Sequence, residues 1–253
     1  MLAEPERTRY DLNFHLFGFP VRIHPWFWLV TLLFGSSALE NDGVQFFVAW
    51  IAVVFVSILV HELGHALAFR RFGSDSHIVL HAFGGLAVPW AAVRGRWRRI
   101  VVSLAGPIAG FVLFGIVYGS NYAFPWADPG ASLLLRWLYI QLVFVNVAWG
   151  LLNLLPVWPL DGGQVCEEIC SHFKPRTGRR LSLLISIVVA GTFCLYSLAC
   201  MMANRQGGLD WLDAVPWWVP RGSLWRAILF GMLAVQSYQV LQRIKWTESH
   251  WQG

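Results

Sequence analysis

Residues 44–69 read VQFFVAWIAVVFVSILVHELGHALAF. They form a single apolar run, longer than the ~20 residues a helix needs to cross a hydrocarbon core of about 30 Å. A core helix of a soluble protein rarely keeps that length without a polar face, so the run predicts a transmembrane helix. Its only ionisable side chains are His61, Glu62 and His65. Ionisable groups are costly at membrane depth, and three within five residues mark a working site rather than incidental packing. On a helix, positions 61 and 65 lie one turn apart on one face. Both imidazoles can then hold one Zn²⁺, with Glu62 beside them as general base for a water.

The rest of the chain agrees with a lipid environment. Of 253 residues, 57% are hydrophobic and 13% charged, against roughly a quarter charged in soluble domains. Apolar runs at 25–39, 44–69, 100–123, 133–155, 181–202 and 224–241 predict an all-α multi-pass membrane protein with about six transmembrane helices. Many of the 15 Trp residues, among them Trp26, Trp28, Trp126, Trp137, Trp217, Trp218 and Trp225, fall near run ends. There amphipathic rings anchor at the headgroup level. The net charge of +5 does not point to nucleic acid, because the basic residues lie in short loops beside the runs. They read as topology signals. With a cytoplasmic N-terminus, 15 of the 19 basic residues are cytoplasmic and only Arg136, Arg205, Arg221 and Arg226 are not. The positive-inside rule selects that orientation, with both termini cytoplasmic.

From His61 to the basic margin at Arg70 is nine residues, or about 13 Å at the helical rise. The site thus lies below the surface, nearer the cytoplasm. The polar, charged start of the chain does not read as a cleaved signal peptide. No loop exceeds about thirty residues, less than the ~50 an independent domain needs, so residues 1–253 are expected to form one membrane domain. Between the second and third runs, residues 76–90 read SHIVLHAFGGLAVPW. The Gly-Gly pair and Pro disfavour a helix and predict a small β segment, which at membrane depth must line a cavity or be buried in protein. Residues 14–23 alternate loosely and predict an extended segment leading through His24-Pro25 into the first helix. Gly106, Gly110, Gly115 and Gly119 in the third run predict close helix packing.

Catalytic zinc takes three protein ligands and keeps one open position, so the His pair is incomplete. Asp161 follows the fourth run in NLLPVWPLDGG (153–163), where two prolines interrupt the helix and two glycines permit close approach. Glu167 and Glu168 are rivals, and Asp161 also fits an ordinary turn or N-cap. Cys166 and Cys170 share a helix face with His172 nearby, but no fourth ligand stands at zinc-finger spacing, so they read as reduced bystander thiols. His24, His77 and His81 read as hydrogen-bonded or solvated histidines.

HELGH at 61–65, SLAGP at 103–107 and NLLPVWPLDGG at 153–163 together resemble the site-2 protease family of intramembrane zinc metalloproteases. GFPVRIHP at 18–25 and FGG at 83–85 are similar to family segments too, so the likeness covers about residues 14–165. The spans at 181–202 and 224–241 are alike only in being apolar. The resemblance implies one Zn²⁺ per chain held by His61, His65 and Asp161, with Glu62 activating the water. It also implies that Asn153 holds substrate or the oxyanion, and that the 76–90 segment, with Gly84 and Gly85, pairs with an unwound substrate. An inner stretch such as 78–81 would offer the pairing edge. The implied substrates are transmembrane proteins in the lipid bilayer of a cell membrane, of the prokaryotic cytoplasmic type. Where the family has an Asn a few residues after its Ala-Gly-Pro, this chain has Gly110. Two other functions compete. A transporter or proton relay would show repeated halves, yet HELGH has no counterpart in the second half. A zinc-bound scaffold without activity would have replaced Glu62.

Overall fold

The computed structural model describes residues 4–82, 84–128, 130–205 and 223–250. It is mostly helical with one small sheet. The helices are α1 (Pro25–Asn41), α2 (Val44–Arg71), α3 (Arg96–Ser120), α4 (Leu133–Asn153), α5 (Asp161–Phe173), α6 (Gly178–Arg205) and α7 (Leu224–His250). Each of the six expected runs is a helix. Four of them, in α2, α3, α4 and residues Gly178–Met202 of α6, are long and apolar enough to cross a bilayer, whereas α1 offers only a shorter apolar helix, Pro25–Ser36. The chain is an integral membrane protein of the multi-pass kind. The last helix continues beyond run six to His250. The loop joining α6 to α7, residues 206–222, lies outside the described residues.

The all-α expectation needs correcting, because the sheet has four strands: β1 (Leu12–Leu16), β2 (Phe19–Ile23), β3 (Ser76–His81) and β4 (Gly84–Pro89), in the order β1-β2-β3-β4. The extended segment before α1 is a hairpin rather than one strand. Leu16 pairs with Phe19 across a two-residue turn, and Phe17 and Gly18 both take positive φ, 51° and 81°. Two left-handed residues in that position suit the twist of the flanking strands. β2 and β3 pair in parallel, Val21 with Ile78 and Ile23 with Leu80. The ladder runs on into the first helix: His24 N–H donates to the Leu80 carbonyl (2.9 Å), and His24 Nδ1 caps α1 by accepting from Trp26 N–H (3.3 Å). Pro25 at the first helical position suits that start. β3 and β4 close the sheet as an antiparallel pair.

The chain divides into two compact units, Met1–Leu154 and Leu155–Gly253. In the first, the sheet packs on α2: Phe19, Val21, Ile23, Ile78 and Leu80 share one core cluster with Phe27 of α1 and with Ile58, Leu59, Leu63 and Ala66 of α2. The apolar residues of α2 around the motif thus face the sheet. Arg22 is the charged group of the inner strands. Its guanidinium donates to Asp11 Oδ2 (2.9 Å), Glu4 Oε1 (2.7 Å) and the Pro5 carbonyl (2.9 Å). Burial pushes the Asp11 carboxyl upward, but hydrogen bonds from Thr8 and the Arg22 guanidinium outweigh it and hold the group at about 2. Arg70, near the end of α2, stacks over the Phe19 ring at 3.6 Å and donates to the Phe17 carbonyl at 3.0 Å. This interfacial Arg ties the helix end to the hairpin.

In the second unit, α6 and α7 hold the turn that precedes α5. Ser186 of α6 accepts the Trp158 N–H at 3.0 Å, and Ser237 of α7 lies 3.3 Å from the Trp158 carbonyl. Both serines are fully buried. Their hydroxyls also donate to the carbonyl four residues back on their own helices, Ser182 and Leu233, which satisfies them in an apolar interior. These two spans carry no motif, yet they fix the backbone from which Asp161 starts.

Candidate metal centre

His61, Glu62 and His65 lie midway along the second half of α2 and are 3%, 4% and 7% exposed. The one-turn spacing brings the imidazoles together as expected, with Nε2 to Nε2 3.2 Å and the rings nearly perpendicular at 76°. Two nitrogens each about 2.0–2.1 Å from one tetrahedral Zn²⁺ would stand about 3.3 Å apart. The observed separation fits that ion. His65 Nδ1 donates to the Val102 carbonyl at 2.8 Å, which leaves the lone pair on Nε2, directed at its partner. A metal-ligating histidine is held in just this way through its other nitrogen.

The Val102 carbonyl comes from α3, and small residues let α3 approach. A Cβ on Gly64 would strike the Ala105 carbonyl and come 2.7 Å from Ala109 Cβ. A Cβ on Gly106 would strike His65 Nε2 and fall 2.7 Å from His61 Nε2. So Gly64 inside HELGH and Gly106 inside SLAGP are needed at the same contact. The expectation that all four α3 glycines pack closely holds for Gly106 alone. A Cβ on Gly110 would make ordinary contacts, and Gly115 and Gly119 meet nothing within 4 Å among the described residues.

Glu62 projects toward β4. A side chain on Gly85 would run into its Cγ, Cδ and Oε1, and one on Gly84 would come 2.8 Å from Trp149 Cζ2 of α4. The Gly84–Gly85 pair therefore lets the strand lie directly against the carboxylate. β3, by contrast, is paired on both sides, with β2 and β4. Residues 78–81 cannot serve as a pairing edge, which corrects the sequence expectation; the free edge on this side of the sheet is β4.

On α4, Asn153 is buried and its Nδ2 donates to the Trp149 carbonyl at 3.0 Å. Asn146, which the sequence did not single out, donates from Nδ2 to Ser57 Oγ (3.0 Å) and to the Leu142 carbonyl (2.8 Å). Ser57 lies one turn before His61, so a polar track continues along the α2 face. A signal was available in Asn146 and Ser57 themselves, polar residues inside apolar runs.

In the second unit, Asp161 is the first residue of α5, with Leu160 as its N-cap, and is 7% exposed. It is a helix residue rather than a cap. Its carboxylate sits at the positive end of the helix dipole, which favours the ionised form a metal requires. Gly163 packs so closely that a Cβ would lie 2.5 Å from the Val157 carbonyl oxygen. The rivals differ: Glu167 and Glu168 are half-buried, and Glu167 pairs with Arg179 at 3.3 Å. Cys166 Sγ and Cys170 Sγ are 3.9 Å apart. They belong to no group of three possible metal ligands among the described residues. Burial, then the neighbouring Cys166, pushes the Cys170 thiol up, which keeps it protonated.

Residues 127–195 match peptidase family M50. The chain is 31% identical over 204 residues to Rip2 of Mycobacterium tuberculosis, covering 68% of this chain and 73% of that one. It is 28% identical over 159 residues to a zinc metalloprotease of Methanocaldococcus jannaschii, 62% of this chain. It spans 44% of that archaeal protein and 57% of a Synechocystis relative, about half the length of each. Among solved structures, the site-2 protease from Methanocaldococcus jannaschii has a similar fold, with a TM-score of 0.60 at 20% identity, covering 91% of this chain and 94% of that one.

Proposed function

The chain belongs to peptidase family M50, the site-2 proteases, and on that premise we propose that it is an intramembrane zinc endopeptidase hydrolysing peptide bonds in or near transmembrane segments of other proteins. The observation that carries the reading is the buried His61–Glu62–His65 cluster inside a membrane-long apolar helix, with imidazole nitrogens spaced for one zinc.

His61 and His65 would supply two ligands through Nε2, and Asp161 would supply the third through its carboxylate. All three are buried, as ligands shielded from bulk water must be. When bound, zinc would polarise the scissile carbonyl and make water nucleophilic near neutral pH. Glu62 takes the proton from that water on its carboxylate and returns it to the leaving amine. Val102 holds His65 in the ligating tautomer through its carbonyl. A transmembrane substrate must leave its helix before attack, because a helical peptide carbonyl is hydrogen-bonded and covered. β4 offers a free edge for the extended strand, beside Glu62, and main-chain pairing there would hold it. Gly84 and Gly85 clear the space, and Asn153 binds substrate or the oxyanion. A transporter function is less well supported, since it would call for repeated halves and HELGH has no counterpart in the second half of the chain.

The test is zinc content and cleavage on the same purified protein, in liposomes with a single-span substrate. Wild type should hold one zinc per chain, cut the substrate, lose activity to a chelator and regain it with zinc. Asp161→Ala should hold zinc at least tenfold more weakly, on the order expected for loss of a metal-holding group. Tight, stoichiometric zinc in that variant would remove Asp161 from the site.

The same reading places both termini in the cytoplasm and the site near that face. Single cysteines introduced at Asp128 and at Lys174, in a chain whose four native cysteines are replaced by serine, should differ. The first should react with an impermeant thiol reagent added outside cells and the second should not. The opposite pattern would invert the orientation.

A further inference from the structure

Trp149 carries a feature that the reading above does not use. Its indole is half-buried against the cluster formed by the sheet and α2. Its Nε1 is fully buried with no hydrogen-bond partner among the described residues. The indole nitrogen is only a donor and has no second way to be satisfied. A stranded donor in an apolar interior is destabilising, and Phe or Leu would fill the same volume without it. Such a group is retained where a partner arrives from outside the fold.

The position of the ring indicates that partner. The edge of the indole nearest Gly84 is Cζ2–Cη2, 2.8 and 3.2 Å from where a Cβ at 84 would stand. Cζ2 is the ring carbon adjoining the Nε1-bearing carbon, so the N–H borders the same strand end. Gly84 opens β4, the free-edge strand, and the next residue, Gly85, abuts Glu62. The glycine pair thus has an unpaired donor on one flank and the general base on the other. An extended peptide laid on β4 presents main-chain carbonyls pointing alternately toward and away from that strand. Those directed toward the opening end of β4 face the indole N–H that borders it.

We propose that Trp149 is a substrate-binding residue whose Nε1–H hydrogen-bonds a main-chain carbonyl of the extended substrate lying on Gly84–Gly85. It rests on the proteolytic reading of the site for the identity of the ligand. Because the contact is to main chain, it acts on every substrate sequence alike, and it strengthens binding of the unwound form over the helical one, whose carbonyls are already paired.

The experiment compares wild type with Trp149→Phe and with benzothienylalanine at 149, which keeps the bicyclic shape but has no N–H. Cleavage kinetics on a single-span substrate, zinc content and Tm are measured on each. Binding of the same substrate is measured in the Glu62→Gln background, where no cleavage is needed. Both replacements should raise KM, and weaken binding to Glu62→Gln protein, by about five- to tenfold, the worth of one hydrogen bond. kcat should be nearly unchanged, zinc full, and Tm equal or higher because the stranded donor is gone. Unchanged KM and binding with benzothienylalanine would overturn the proposal, as would a loss of binding that tracks a fall in Tm. If wild type binds substrate but cuts nothing, the protease reading fails, while the binding comparison still decides the role of Trp149.

Discussion

Glu62→Gln is expected to lower peptide-bond cleavage by at least about 10²- to 10⁴-fold, the usual contribution of a positioned general base, while leaving zinc content at the wild-type value. The amide has nearly the shape of the carboxylate but accepts no proton. Glu62 is 4% exposed and lies against Gly85 of β4, so an isosteric change keeps the packing of strand on helix. The three residues proposed to hold zinc are untouched. The measurement is a cleavage time course on purified protein, with metal content determined on the same sample. Cleavage by the variant at a near wild-type rate would remove Glu62 from the chemistry, and with it the mechanism proposed here.

Gly106→Ala is expected to be almost as damaging, although the residue ligates nothing. The added Cβ would strike His65 Nε2 and stand 2.7 Å from His61 Nε2. These are the two atoms that would hold zinc, so either the imidazoles turn away or α3 retreats. If α3 retreats, the Val102 carbonyl moves off His65 Nδ1. Both routes spoil the ligand geometry. Zinc affinity should fall about 10- to 100-fold, as when a ligand-orienting group is lost, and kcat/KM should fall by about 10² or more, as for a displacement near 1 Å at a reacting centre. Gly115→Ala on the same helix is the control. Its Cβ meets nothing within 4 Å among the described residues, so zinc and activity should stay unchanged, and the helix should gain about 0.5–1 kcal/mol from losing a glycine. Equal metal content in the two variants would show that the α3 contact does not shape the site.

How much of this was legible beforehand depends on the distance over which each feature is decided. Helices around 44–71, 96–120 and 133–153 follow from unbroken apolar length, because in lipid a spanning segment must satisfy its own backbone and a helix does so locally. The approach of His61 to His65 follows from 3.6 residues per turn and needs no other part of the chain. Asp161 stood out by composition, since the flanking prolines and glycines are local signals of a break. The hairpin turn at Phe17-Gly18 has its glycine in view, but residues 14–23 read only as an extended segment, because the partner that makes β1 visible is β2 itself.

By itself, the sequence determined that this chain lives in a membrane, where its main helices lie, and that two histidines and a glutamate converge on one helical turn. Those properties depend on residues at most a few positions apart. The tertiary structure alone decided that β2 joins β3 across 57 positions, as in the pair Val21 and Ile78, and so that β3 is an inner strand and β4 the open edge. It alone showed that Gly106 faces the imidazoles while Gly115 and Gly119 do not, and that Val102, Ser186 and Ser237 make hydrogen bonds that hold His65 and the Trp158 backbone. An apolar run presents the same composition whichever face it turns inward. Which glycine meets a histidine, which carbonyl receives its N–H and which strand keeps a free edge are set by long-range contacts.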